Sequence, residues 1–337
     1  MAGLGRLARD GVMRGVFACQ KEAGVAARAN GTRNGQQLRN KHSMTNDQLS
    51  AIECNLFPSV RGLVRERVGF PWHRGAHSRQ SSQAVAIDVF ETVNRLPSRN
   101  QIVGAWAKLF RLPAEPRDNW DLTLEYTVHK TLLGEPQETQ IDVLAKSESG
   151  IIVFECKFTE ADGGACSQVN QRGKGAHEGM AQCNGNYEEQ VNPINGKLAR
   201  CALTAKGVRY WDLIPDVMNI DPNVDHTPCP VAGGSYQWMR NLAAARALSL
   251  KAGVPAAFGL VYADGPFPMA KKLNDKKWKD RLTDSVAGRA VHLEGISYHE
   301  LIRVARDVAI GEDAKTLKDL SDWVQGKFDE VGKRMGS

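Results

Sequence analysis

The stretch "TQIDVLAKSESGIIVFECKFTE", residues 139–160, holds two apolar runs parted by a short polar turn, each with an acid in its middle. A tight turn centred on Glu148-Ser149 makes the runs an antiparallel hairpin and sets Asp142 directly opposite Glu155. Cross-strand neighbours hold their Cβ atoms about 5 Å apart on one face of a sheet. Side chains alternate along a strand, so Lys157 shares the face of Glu155, while Ile152, Phe154, Cys156 and Phe158 take the other. Two facing carboxylates repel. A bound divalent cation removes that penalty, because hard ions such as Mg²⁺ take carboxylate oxygens as ligands. The plain alternative, an exposed hairpin whose acids face water, sits poorly with flanks this apolar.

The elements around the hairpin read as an α/β order. A mixed helical stretch covers about 46–68, and the connector "PWHRGAHSRQ" follows it. In "SSQAVAIDVFETVNRLP", Ser81 or Ser82 caps a helix, Ala86, Val89, Phe90 and Val93 form its apolar stripe, and Pro97 stops it. "LTLEYTVHK" (122–130) alternates Leu122, Leu124, Tyr126 and Val128 against Thr123, Glu125, Thr127 and His129, a strand with one polar face. Residues 163–186 read as loop, 234–253 as helix, 254–263 as strand, and the tail as helices near 297–308 and 315–330. These elements predict a mixed sheet of four to six strands.

Asp142 followed by Glu155-Cys156-Lys157 resembles the D…(D/E)-x-K signature of the PD-(D/E)XK nuclease superfamily. "SSQA" (81–84), "ECKFTE" (155–160), "GVRYW" (207–211) and "YQWMRN" (236–241) are similar to a bacterial restriction-endonuclease-like family within it, over roughly 75–265. The resemblance implies a restriction-endonuclease-like core, a mixed central β-sheet flanked by helices. It also implies a Mg²⁺-dependent nuclease, with Mn²⁺ able to substitute. Asp142 and Glu155 would hold the ion, and Lys157 would orient the attacking water or meet the charge developing on the phosphate.

A third acid is usual in such sites. Asp88 and Glu91 project away from the stripe of their helix, so Glu125 on the polar strand face is the preferred third ligand; its plain reading is a solvated strand acid. Gln83 is a further site-lining candidate, set against a simple hydrogen bond at the helix start. Glu160 reads as a support to the site or as a surface acid. Gln237, Arg240 and Asn241 share one helical surface, suited to a phosphate backbone or to bracing the site, or else to a mixed solvated face. "KKLNDKKWKDR" (271–281) reads first as a solvated loop, although basic charge beside Trp278 also suits phosphate contact and base stacking.

Cys166, Cys183, Cys201 and Cys229 follow the E-x-K strand at spacings of 17, 18 and 28, which match no compact zinc or ferredoxin pattern. Free buried thiols are the ordinary reading. The resemblance implies an alternative, because some nucleases of that superfamily hold an iron–sulfur cluster on four cysteines; Zn²⁺ with His177 or His226 as substitute ligands is another.

The charge is uneven. Residues 1–43 hold eight Lys/Arg against two Asp/Glu, which is the whole net charge of +6, so the remainder balances to zero. Bulk charge therefore gives no evidence that the body binds DNA. The segment reads as a basic, disordered extension, a transit-like presequence, or sequence upstream of a start at Met44. Residues 44–337 then form one nuclease-like domain, with a core at about 75–265 and a helical part at 266–337. No apolar run approaches the roughly 18 residues of a membrane span. Seven cysteines without a secretory h-region point to reduced thiols and a cytoplasmic location. DNA is the expected partner, with RNA open. The competing reading is a non-catalytic nucleic-acid-binding protein that keeps the fold.

Overall fold

The computed structural model describes residues 44–335, so the basic segment 1–43, with Cys19, lies outside the described residues. The hairpin forms as its sequence demands. Ser147 N–H donates to the Gly150 carbonyl at 2.9 Å, closing the turn through Glu148 and Ser149. On either side, β2 (Thr139–Lys146) and β3 (Ile151–Lys157) run antiparallel, with Val143 opposite Phe154 and Ala145 opposite Ile152. Every residue of β3 is buried. That burial explains its near-continuous apolar run, since a central strand is covered on both faces.

Three more strands complete a mixed sheet in chain order. β1 (Asp121–Val128) lies antiparallel to β2, β4 (Ala256–Tyr262) parallel to β3, and β5 (Val291–Ser297) parallel to β4. Helices cover both faces: α1 (Asn46–Asn55), α2 (Ser82–Arg95), α3 (Arg99–Leu109), α4 (Tyr210–Val217), α5 (Tyr236–Ala252), α6 (Pro268–Asn274), α7 (Lys276–Val286), α8 (Tyr298–Val308) and α9 (Gly311–Met335). One core joins Ile152, Phe154 and Cys156 to α2, α3, α8 and α9, with Phe90, Trp106, Phe110 and Phe154 in mutual ring contact. The other joins Ile151, Val153, Phe258 and Leu260 to α4 and α5. The antiparallel hairpin needs only its turn. The parallel step from β3 to β4 needs a crossover, and α5, packed on both strands, supplies it.

The structure departs from the sequence reading in three places. The segment 266–337 is not purely helical, because it contributes β5. Residues 271–281 are helical rather than loop: Asp275 caps α7 by accepting from Lys277 and Trp278 N–H. Trp278 is half-buried and packs edge-on against Trp238 with ring centroids 5.7 Å apart. Finally, α2 is buried nearly all round. Asp88 is fully buried, accepting from Phe57 N–H, Trp323 Nε1 and Lys327 Nζ, while Glu91 pairs with Arg67 and Arg95. Both acids hold the fold together, away from the hairpin acids. No helix among the described residues is long and apolar enough to cross a membrane.

Candidate active site

The β1–β2 ladder places Leu124 opposite Val143 and Tyr126 opposite Ile141, so Glu125 and Asp142 fall between those pairs. On the other side of β2, Val143–Phe154 is the last paired position before Asp142 and Glu155. Glu125, Asp142 and Glu155 therefore form one row across three adjacent strands. The ladder is broken at that row. Glu125 has φ +50, a left-handed conformation that is uncommon outside glycine. The break also reverses the side-chain alternation predicted for β1: Leu122 and Leu124 enter the core beneath α2, but Tyr126 and Val128 join the opposite core. The pairing register is the same on both sides of Glu125, so a left-handed residue within the strand, not an inserted one, turns the chain, and simple periodicity does not carry through it.

Each acid is tied to a neighbour. Asp142 Oδ2 accepts from Cys156 N–H at 2.7 Å, so the carboxylate takes the place of a ladder carbonyl. Glu155 Oε1 pairs with Lys157 Nζ at 2.5 Å, and its Oε2 accepts from Asn241 Nδ2 at 2.6 Å. Lys157 Nζ also donates to Gln237 Oε1 at 3.0 Å. Glu125 Oε1 accepts from Gln83 Nε2 at 2.6 Å. The first two turns of α5 thus reach the β3 acid and lysine, and the start of α2 reaches the β1 acid. Glu160 accepts from Ser82 Oγ and from Phe158 N–H, fixing the end of β3 to the same helix start.

The family model described as Restriction Endonuclease associating with ARP matches residues 19–321. The chain belongs to this family. Searches of curated proteins and of solved structures each return no match. The restriction-endonuclease match includes the whole five-stranded sheet and extends past both ends of the 75–265 region.

The electrostatics of this restriction-endonuclease family member follow from crowding. Asp142 is held well above the ordinary carboxylate range, first by loss of solvent and then by the Glu155 charge; the Cys156 amide and Lys157 pull the other way. Glu125 is raised as well, by burial and more weakly by Glu155, against the opposing pull of Gln83 and His73. Burial lowers Lys157, but the adjacent Glu155 carboxylate outweighs it, and the ammonium is raised overall. Three acids in this row share one lysine.

The row opens on a cleft of about 490 Å³ lined by His73, Glu125, Glu138, Asp142, Glu155 and Arg240, among other polar side chains. Arg240 Nε has no hydrogen-bond partner there, and neither does the buried Asn241 Oδ1. Among the described residues, no group of three or more His, Cys, Asp or Glu side chains stands in the arrangement of a metal shell. As the chain stands, Lys157 is the cation nearest the acids.

Sequence reading missed His73. Its backbone N–H donates to Gln83 Oε1 at 2.8 Å, and its ring Nε2 lies 3.7 Å from Glu125 Oε2. The connector that carries it has no periodicity, and only its Pro, His and Arg content hints at a role. Cys166, Cys183, Cys201 and Cys229 are elsewhere, around a separate small cavity; neither His177 nor His226 lines it.

Proposed function

We propose that this member of a restriction-endonuclease family is a Mg²⁺-dependent nuclease that hydrolyses phosphodiester bonds, with DNA as its first substrate. The observation that carries the reading is the row Glu125–Asp142–Glu155 beside Lys157, on an open polar cleft. Burial first, and then the neighbouring Glu155 charge, raise Asp142 and Glu125 there. The donors are hard oxygens, which fit Mg²⁺ or Mn²⁺, and Asp142, Glu155 and Glu125 are the residues that would hold the ion. Bound there, the ion supplies Lewis acidity that makes water a nucleophile near neutral pH.

The chain's own residues supply the rest. Lys157, held beside Glu155, would orient the attacking water or meet the charge developing on phosphorus. Gln237 and Asn241 keep Lys157 and Glu155 in place. Arg240, at the cleft with its Nε unpartnered, suits a phosphate oxygen. The first turns of α5 add the positive end of a helix dipole. We take association with a second protein, the ARP of the family name, as part of the same proposal.

One observation favours a second reading. Glu155 is already satisfied by Lys157 and Asn241, as it would be in a relative that binds nucleic acid without cutting it. The test is incubation with circular and linear DNA, single- and double-stranded, and with RNA, in Mg²⁺ or EDTA. Mg²⁺-dependent cleavage supports the nuclease. Retarded mobility without cleavage in either condition supports the second reading.

A further inference from the structure

The segment between β3 and α5, residues 158–235, is long for a connection with so little regular structure. Apart from α4 it holds only single turns and a ribbon of two-residue strands, Gln190–Val191 with Leu198–Ala199. Segments of this kind are usually disordered or held by something other than a core. Here four cysteines far apart in sequence come together. Cys166, Cys183, Cys201 and Cys229 all line one small cavity of about 20 Å³, whose other walls include Tyr187, Trp211 and Met239. All four are free thiols and partly buried. Cys166 lies within electrostatic reach of Cys201 and Cys183, and Cys229 within reach of the other three.

A second observation is independent of that convergence. Three of the sulfurs are each met by the backbone N–H two residues further on. Gly185 N–H donates to Cys183 Sγ at 3.4 Å, Gln168 N–H to Cys166 and Val231 N–H to Cys229. Gln190 Nε2 adds another donor to Cys183. Amide donors directed at sulfur stabilise thiolates and tune thiolate-bound metal centres. Burial still pushes the Cys166 and Cys229 thiols up, Cys229 to about 11, and these donors oppose it in part. Lys206 supplies a positive charge near Cys166 and Cys201.

We propose that Cys166, Cys183, Cys201 and Cys229 ligate an iron–sulfur cluster that staples residues 158–235. A single Zn²⁺ draws four sulfurs to about 2.3 Å from one point, and no such convergence exists among the described residues. In a cluster each sulfur binds a different corner or edge, so the thiolates spread around a cavity, as they do here. Binding is ligand exchange: each thiol gives its proton to solvent as its iron–sulfur bond forms, the cluster arriving preassembled from iron and inorganic sulfide, with no net electron transfer. The staple also matters to the cleft, because the segment runs from Lys157 to Gln237. It is a site separate from the acid row and stands whether or not that row cuts nucleic acid.

The test is metal and sulfide analysis of the full chain purified without oxygen. Iron and acid-labile sulfide in matched amounts, with broad visible absorbance bleached by dithionite, are expected. Cys183→Ser and Cys229→Ser should lose both, and their 158–235 segment should be cut faster by a protease. His226→Ala, whose ring Nε2 meets only the Asp221 carbonyl, should keep the cluster. Zinc without iron, or neither metal in wild-type protein handled without oxygen, overturns the proposal. So does iron retained in full by both serine variants.

Discussion

Asp142 carries a charge that its surroundings resist, and that resistance has a sign. Its folded pKa lies above the ordinary value of 3.8. The folded state therefore holds the proton more tightly than the unfolded chain. The stability this contributes is complete below that value and is lost as pH rises through the folded pKa. In EDTA near neutral pH, Asp142→Asn should melt higher than wild type, and the gap should close as pH falls toward 4; calorimetry across that range checks it. Asn keeps an oxygen for the Cys156 amide, so the backbone contact survives. Added Mg²⁺ should raise the melting temperature of wild type but not of this variant. Lys157→Ala is expected to lose about 10²–10³-fold in cleavage rate. It should still show a Mg²⁺-induced rise in melting temperature, because lysine is not a metal ligand.

At the scale of the element, β3 and its neighbours were legible because burial on both faces leaves a plain signature of apolar runs with strand-length bounds. The hairpin turn and the helix at 82–95 were legible for the same reason, through a tight polar turn and a Ser81 cap. β5 was not. "VHLEGIS" is short and polar enough to pass for loop, and its strand character comes from pairing with β4. Nor was the reversal in β1, since nothing in Leu124-Glu125-Tyr126 announces a left-handed residue. β4 yields a sharp test. A Cβ at Gly259 would sit 2.7 Å from Phe154 and 2.8 Å from Phe110, inside the aromatic core. Gly259→Ala should cost about 1–3 kcal/mol by overpacking, read from denaturant midpoints at unchanged slope.

Across the whole molecule, α9 returns to the sheet through a buried charge. Lys327 and Asp88 are both fully buried and 2.6 Å apart. Burial lowers the ammonium to about 8 despite Asp88 beside it. Removing one partner strands the other, so Lys327→Met should cost about 3–5 kcal/mol, and Asp88→Asn in the same chain should recover much of it. A double-mutant cycle by chemical denaturation measures this. No local pattern links residues 88 and 327, which is why their pairing could not be read ahead of the fold. The acid row was different: its hairpin members lie within one short stretch, and pairing geometry alone brought Asp142 to Glu155. The most direct test of the central claim compares wild type with Glu155→Gln on supercoiled and linear DNA, in Mg²⁺ and in EDTA. The account predicts cleavage only by wild type and only with Mg²⁺. Cleavage that survives in Glu155→Gln, or no metal-dependent cleavage by folded wild type, would contradict it.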